Sequence, residues 1–373
     1  MKMAKFHFHG GDGMIPHSRP ALGPEEKRAV ETVLDSGEIA QGEKVATFEK
    51  GFCEFTGRRY GVAVSSGTAA LQLSLLALGI GRGDEVILPS FTCVALLHAL
   101  DSVGARPVLT DIDLHDFNLS LSEVKKKIRR KTKAILVPHA FGAIAQVEAL
   151  EELGFPLIED GTQSLGAQIG TKKVGSFGVV SLFSFYATKM ITTGEGGMAL
   201  TNQRRIAEKL LDMRSYDKKP AYSFRTNSKM TDMEAAMGIE QLKKLPIFIE
   251  RRREIARRYT EALKGWEGIL PESERGREHV FYRYVVRVPK RRKEWMRELQ
   301  AQGIDAKEPV FKPLHQYLRL KDSLFPATAL AMREACSLPI YPALSLEACE
   351  RICQLIQERP MPSLATPAPV LNL

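Results

Sequence analysis

From position 15 to about 244, short apolar runs alternate with stretches whose apolar residues recur at helical spacing. The runs at 60–64, 85–88, 106–110, 134–137 and 156–159 have the length of strands. Between them, 69–78, 94–100, 121–130 and 146–153 carry the helical pattern. Strands that alternate with helices predict a parallel sheet covered on both faces, an α/β fold. Runs at 179–185 and 198–201 read as further strands of the same core.

Beyond Pro246 the pattern changes. A highly charged helix is predicted at 247–263, an alternating strand at 281–288, and helices at 293–302 and 346–358. These fit a smaller α+β domain, so the chain divides into a large domain at 15–245 and a small one at 246–358. Residues 359–373 carry four prolines and little periodicity, which predicts a mobile tail. There is no internal repeat.

Composition narrows the classes. The chain has 373 residues, 44% apolar and 26% charged, enough to bury a large core, and this excludes disorder as the overall state. Fifty-three basic and 44 acidic residues leave a net charge of +9, a surplus that favours anionic partners such as phosphates. Two basic runs, 125–133 and 251–258, fall on predicted helices or their ends, and Glu254 precedes Arg258 at helix-pair spacing. Without aromatic interleaving or a recognised module they read as solvated helix faces, and no nucleic-acid partner is expected. Five cysteines make an odd set with no paired framework. Cys349 and Cys353 share a helix face and read as core thiols, not metal ligands. No window approaches the ~20 apolar residues of a membrane span. The first residues, which include His7 and His9, lack the apolar stretch of a signal peptide and read as a leader. A cytoplasmic protein is expected.

Three segments carry candidate chemistry. SSGTAAL (65–71) joins a strand to an apolar helix. Glycine allows a tight turn there, and a helix start offers unpaired N–H groups and a positive dipole end to a phosphate. The alternative is a plain helix cap by Ser66 or Thr68. PLIEDGTQ (156–163) delivers Glu159 and Asp160 at the C-terminal end of a strand, where open α/β sheets place ligands. Neighbours on a strand face opposite ways, so one carboxylate enters the site and the other turns away. FSFYATK (183–189) closes an apolar strand on Lys189, just before the glycine-rich turn at 192–197. Partial burial favours the neutral, nucleophilic form of a lysine.

In this order a phosphate cradle, an acid and a lysine are what pyridoxal phosphate requires. Asp160 lies 29 residues before Lys189. The segments GDEVILPSFT (83–92), GARPVLTDID (104–113), FSFYATK (183–189), TTGEGGMALTN (192–202) and NSKMTDMEAAMGIEQL (227–242) make the chain resemble a known family. It is similar, over about 15–358, to the DegT/DnrJ/EryC1/StrS group of pyridoxal-phosphate-dependent aminotransferases. Members place amino groups on nucleotide-linked sugars and aminocyclitols.

The resemblance implies an aspartate-aminotransferase-like fold (PLP fold type I) and a homodimer with shared active sites. It implies that Lys189 forms the internal Schiff base and that Asp160 pairs with the pyridinium nitrogen. Gln163 would bond near the ring's phenolic oxygen. Backbone amides of Gly67 and Thr68, with the Ser184 hydroxyl, would hold the phosphate, and Asn227 would reach the phosphate of the partner subunit's cofactor. His315 and Tyr317 of PLHQY match a segment lining the substrate pocket. His139 matches a position near the sheet edge and reads as structural.

Two features depart from the family pattern. Cys93 stands where many members have a ring-stacking aromatic; either the thiol packs on the cofactor ring or Phe91 compensates. EDGTQS replaces the common EDAAQA, which sets Gly161 and Thr162 beside the ring. The reaction implied moves an amino group from an amino acid, L-glutamate by resemblance, to a keto-sugar. Three other readings stay open at this point: a keto-cyclitol acceptor, a sugar dehydratase of the same family, and a cofactor-binding regulator without turnover. The dehydratases carry histidine at the lysine position, and Lys189 speaks against that reading.

Overall fold

The computed structural model describes residues 13–272 and 276–358. His7, His9 and the expected tail at 359–373 lie outside them. The core is a seven-stranded sheet built from β1 (Tyr60–Val64), β2 (Glu85–Pro89), β3 (Arg106–Thr110), β4 (Thr132–Pro138), β5 (Leu157–Asp160), β6 (Val180–Ser184) and β7 (Gly197–Thr201). Their order is β1-β7-β6-β5-β4-β2-β3. All run parallel except β7, which is antiparallel to both neighbours, β1 and β6. A parallel β7 would need a crossover of a dozen residues or more, usually helical. The turn between β6 and β7 instead doubles back, with Phe185 and Gly196 bonded across it, and returns the chain antiparallel.

Both faces of the sheet are buried, which is why its strands read as nearly continuous apolar runs. In β4, Ile135 and Val137 pack into one cluster with Phe52, Phe183 and Phe248. Ala134 and Leu136 pack on the opposite face with Leu71, Leu73 and Leu97. Removing one such side chain, as in Leu136→Ala, costs about 2–5 kcal/mol.

A second body centres on the antiparallel pair β8 (Tyr284–Arg287) and β9 (Ala335–Leu338), packed with the helices Arg292–Ala301 and Leu346–Glu358. Ile15 belongs to this body: it bridges Ile304 and buries itself with Tyr259, Tyr284 and Trp295. The sequence pattern predicted a boundary at Pro246, but the helix Asp232–Ala262 runs through it without a break. Thr231 and Glu234 form a capping box at its start. Leu245 is buried just before the proline, and Phe248, Ile249, Ile255 and Tyr259 are buried after it. Burial on both sides outweighs the ~3 kcal/mol that an internal proline costs. The strand expected at 281–288 is also divided. Its start leaves the small sheet, and the amides of Val280 and Arg283 bond the carbonyls of Gly142 and Phe141.

The arginines of 251–258 have local partners. Arg251 and Arg258 pair with Glu254, Arg253 with Glu278 and Arg257 with Glu250, while Arg252 is buried. No helix among the described residues is long and apolar enough to cross a membrane.

Candidate active site

The C-terminal ends of β1, β5 and β6 meet at one edge of the sheet, and β7 begins there. Ser66 caps the helix Gly67–Ala77, its Oγ accepting from the Ala69 amide at 3.1 Å. The cap leaves the amides of Gly67 and Thr68, which a first helical turn cannot partner itself, pointing out of the helix start. A Cβ on Gly67 would come within 2.8 Å of Ser184 Cβ, and one on Gly197 would overlap the Ser66 carbonyl. The two glycines therefore let the loop from β1 lie directly on the ends of β6 and β7. Ser184 ends half-buried beside Gly67, and the amides of Gly67 and Thr68 have no partner among the described residues.

On β5 the two acids divide as alternation requires. Asp160 is only 6% exposed. Its Oδ1 accepts from the Thr162 amide at 3.0 Å, and its Oδ2 has no protein partner among the described residues. Glu159 turns to the other side and is fully buried. It accepts from His139 Nε2 (3.0 Å), Ser181 Oγ (2.7 Å) and the amides of Gly175 and Phe177. His139 Nδ1 accepts from the Ala145 amide, so the ring has its proton on Nε2 and a structural position. Gly161, where the family commonly has alanine, is explained by packing: a Cβ there would lie 2.6 Å from the Phe183 ring and 2.8 Å from Val174.

Lys189 sits on the turn after β6, its amide bonded to the Tyr186 carbonyl at 2.9 Å. Met190 and Ile191 beside it are buried, which pins the turn to the core. Thr192 is held through its amide by Gln241 Oε1 at 3.2 Å, and Gln241 in turn donates to the Ala21 carbonyl and to Glu26. Lys189 is half-buried and has no carboxylate partner among the described residues. Its Nζ lies over the Tyr282 ring, 5.5 Å from the centroid.

Gln163 accepts from the Phe141 amide at 3.0 Å through Oε1, which leaves its Nε2 to donate. Cys93 is exposed. Phe91 is buried in an aromatic trio with Phe117 and Phe141, at centroid distances of 5.7 and 6.1 Å. Of the two candidates for the ring face, the thiol is the one left available.

The more distant candidates are placed differently. Asn227 is exposed on the segment that leads back to the cradle, where the Ser65 amide bonds the Ser228 carbonyl. Tyr317 is 38% exposed, with Lys312 Nζ 4.6 Å from its ring centroid. His315 is fully buried and both ring nitrogens are engaged: Nδ1 with Ser90 Oγ at 2.7 Å, Nε2 with Asp322 at 2.9 Å. Within this chain its ring therefore ties the segment to the end of β2 instead of lining an open surface. Ser90, Gln241 and Tyr282 were not singled out from the sequence. Tyr282 lies in the segment 281–288 expected as a strand from its alternating pattern alone, and nothing local marks its contact with Lys189.

Free amides and a hydroxyl at a helix start, an unpartnered carboxylate oxygen, a lysine without an acid and an amide donor converge on one sheet edge. They fit pyridoxal phosphate group by group. The two glycines keep the cradle clear, since a Cβ at either position would displace it.

A model described as the DegT/DnrJ/EryC1/StrS aminotransferase family matches residues 20–357. The chain is 33% identical over 366 residues to a GDP-perosamine synthase of Vibrio cholerae, covering 92% of this chain and 98% of that protein. It is 34% identical over 353 residues to a pleiotropic regulatory protein of Geobacillus stearothermophilus, covering 90% and 95%. Among solved structures, S. venezuelae DesV in complex with a ketimine intermediate superposes with a TM-score of 0.88 at 32% identity, covering 94% of this chain and all of that one.

Proposed function

The chain belongs to the DegT/DnrJ/EryC1/StrS aminotransferase family, and on that premise we propose that it moves an amino group from L-glutamate to a nucleotide-linked keto-sugar. The observation that carries this reading is the meeting of Asp160, Lys189 and the Gly67–Thr68 amides at one edge of the sheet.

Bound pyridoxal phosphate supplies an aldehyde that captures amines and a ring that withdraws electrons from the carbon next to them. The residues of this chain do the rest. The Gly67 and Thr68 amides and Ser184 Oγ bind the phosphate, aided by the helix dipole. Asp160 would meet the ring nitrogen and favour a proton on that atom. Gln163 Nε2 would donate to the ring's phenolic oxygen, and Cys93 would pack on a ring face. Lys189 would hold the aldehyde, and its Nζ would be the group that takes a proton from the donor's α-carbon and gives it back. One amine serving as base and then acid fits a half-buried position open to substrate on one side.

We also read the enzyme as a homodimer with shared sites. The segment bearing Asn227 presents Tyr222 and Phe224 fully or largely to solvent, and Asn227 has no hydrogen-bond partner among the described residues. Such a surface fits a second copy, with Asn227 reaching the phosphate held by its partner. Tyr317 then lies on the acceptor side, with His315 holding its segment to Ser90. Five free cysteines fit a reducing cytoplasm.

The test is the visible spectrum of the purified protein before and after L-glutamate. A yellow band that glutamate bleaches, followed by its return on adding a keto-sugar nucleotide, is the expected result. A colourless protein that pyridoxal phosphate does not reconstitute would overturn the reading.

A further inference from the structure

Three cations surround one buried phenol. Tyr282 is 6% exposed and sits where the second body docks on the first. A Cβ on Gly142 would lie 2.7 Å from the amides of Phe281 and Tyr282, so the two backbones touch there. Lys189 Nζ lies 5.5 Å from the Tyr282 ring centroid and the Arg283 guanidinium 5.2 Å. From the helix below, Arg252 Nη1 donates to the carbonyls of Phe281, Tyr282 and Ile340. The turn of Lys189 adds Thr188, whose Oγ1 is 3.4 Å from the Tyr282 hydroxyl.

None of Lys189, Arg252 or Arg283 has a carboxylate partner among the described residues. Arg252 is fully buried, and burial brings it down to about 10. Arg283 reaches the His17 ring at 3.0 and 3.2 Å, but His17, held down to about 3 by burial and then by Arg283, is neutral and offers no negative charge. His279, stacked on the neighbouring Phe281, is likewise held to about 3 by burial. The buried charge of Arg252 without a counter-charge is costly, and the phenol beside it can supply one on ionising.

We propose that Tyr282 is a positioning residue for Lys189: its ring face holds the free ammonium head beside the site. A lysine released at each half-reaction must wait close to the site and return to it. A ring within about 6 Å of an ammonium group gives it such a resting place. Burial alone raises the phenol, but the charges of Lys189 and Arg283, the Thr188 contact and Arg252 together bring it down to about 8. The role assigned to Lys189 rests on the aminotransferase reading; the contact itself does not.

The test is a near-ultraviolet phenolate titration of the full chain without cofactor, taken as the difference between wild type and Tyr282→Phe. A midpoint near 8 is expected. In a Lys189→Met background it rises by about one pH unit, a tenfold change in the phenolate-to-phenol ratio. Lys189→Arg, which keeps the charge, leaves it close to wild type. If Tyr282→Phe does not fold, ring-carbon NMR of labelled tyrosine in the wild type and the lysine variants reports the same midpoint. A midpoint that Lys189→Met does not move, or that both lysine variants move equally, overturns the proposal. The titration needs neither cofactor nor substrate. Transamination without the coupling sinks this inference alone, and the coupling without transamination sinks the proposed reaction alone.

Discussion

Glu159 and Asp160 are consecutive in the chain and serve opposite sides of the sheet. Glu159 accepts from an imidazole, a hydroxyl and two amides in a fully buried network that also holds Arg58, whose guanidinium bonds Ser181 Oγ and the carbonyls of Gly175, Phe177 and Gly178. Asp160 keeps one oxygen without a partner among the described residues, at the sheet edge. One acid fixes the strand, and the other is carried by it.

Substitution separates the two. Glu159→Ala leaves His139 Nε2 and the amides of Gly175 and Phe177 without an acceptor in a dry interior, and costs about 3–5 kcal/mol. Asp160→Asn keeps its contact with Thr162 and stays within about 1 kcal/mol of wild type. Its amination rate falls by roughly 10²-fold or more, the scale of one lost electrostatic contact in a closed site. Urea melts and single-turnover rates check the pair; a stable Glu159→Ala or a fully active Asp160→Asn contradicts it.

Lys189→His ends turnover while leaving the phosphate cradle intact. Pyridoxal phosphate still binds reversibly through Gly67, Thr68 and Ser184, but no band of covalent capture forms, and mild dialysis removes the bound cofactor. Absorbance before and after dialysis, with assay of both half-reactions, measures this. Retained transamination in the variant would remove Lys189 from the centre of the mechanism.

Gly67→Ala tests the cradle itself. The backbone there is ordinary helix, so the cost is steric: the new methyl meets Ser184 Cβ at 2.8 Å. Relief by a local shift costs about 1–3 kcal/mol and moves the two amides off the phosphate. Cofactor affinity falls about tenfold or more, each tenfold being 1.4 kcal/mol. Fluorescence titration with pyridoxal phosphate reads it directly, and unchanged affinity would show that these amides do not bind the phosphate.

The sheet and most of the site were legible because each rests on a local signal. Apolar runs gave the strands of the sheet, and a lysine closing β6 ahead of a glycine turn marked Lys189. What escaped depends on residues far apart in the chain. Gln241 steadies Thr192 across 49 positions, Tyr282 meets Thr188 across 94, and Ser90 meets His315 across 225. Residue type does not reveal such contacts, since a glutamine on a helix or a tyrosine in an alternating strand has many possible partners. Pro246 misled for the opposite reason: a strong local signal was overridden by burial on both sides of it.

Acid sensitivity follows from two buried histidines. His17 and His279 are each lowered from 6.5 to about 3 by burial, assisted by Arg283 and by Arg253 respectively. The unfolded chain therefore binds two more protons than the folded one between those values. Stability is complete above pH 6.5 and falls as pH drops toward 3. Over pH 6.5 to 5.5, before carboxylates titrate, each histidine contributes a slope approaching about 1.4 kcal/mol per pH unit. Urea midpoints across that window measure it. His279→Phe is expected to remove about half the slope, and an unchanged slope would place these rings outside the dry interior.

Site sharing between subunits yields to complementation. Lys189→Ala removes the covalent group from a chain's own site. Asn227→Asp sets a carboxylate against the phosphate held by its partner and repels it. Each homodimer is then inactive, for unrelated reasons. In a mixture refolded one to one, half the dimers are mixed, and each has one site with both defects and one with neither. Sharing across an isologous interface therefore restores about a quarter of wild-type activity. If Asn227 instead served its own chain's cofactor, every site would keep one defect in either kind of dimer, and mixing would restore nothing. Recovery at about a quarter, seen only after subunit exchange, assigns Asn227 to the partner's site, and no recovery assigns it to its own.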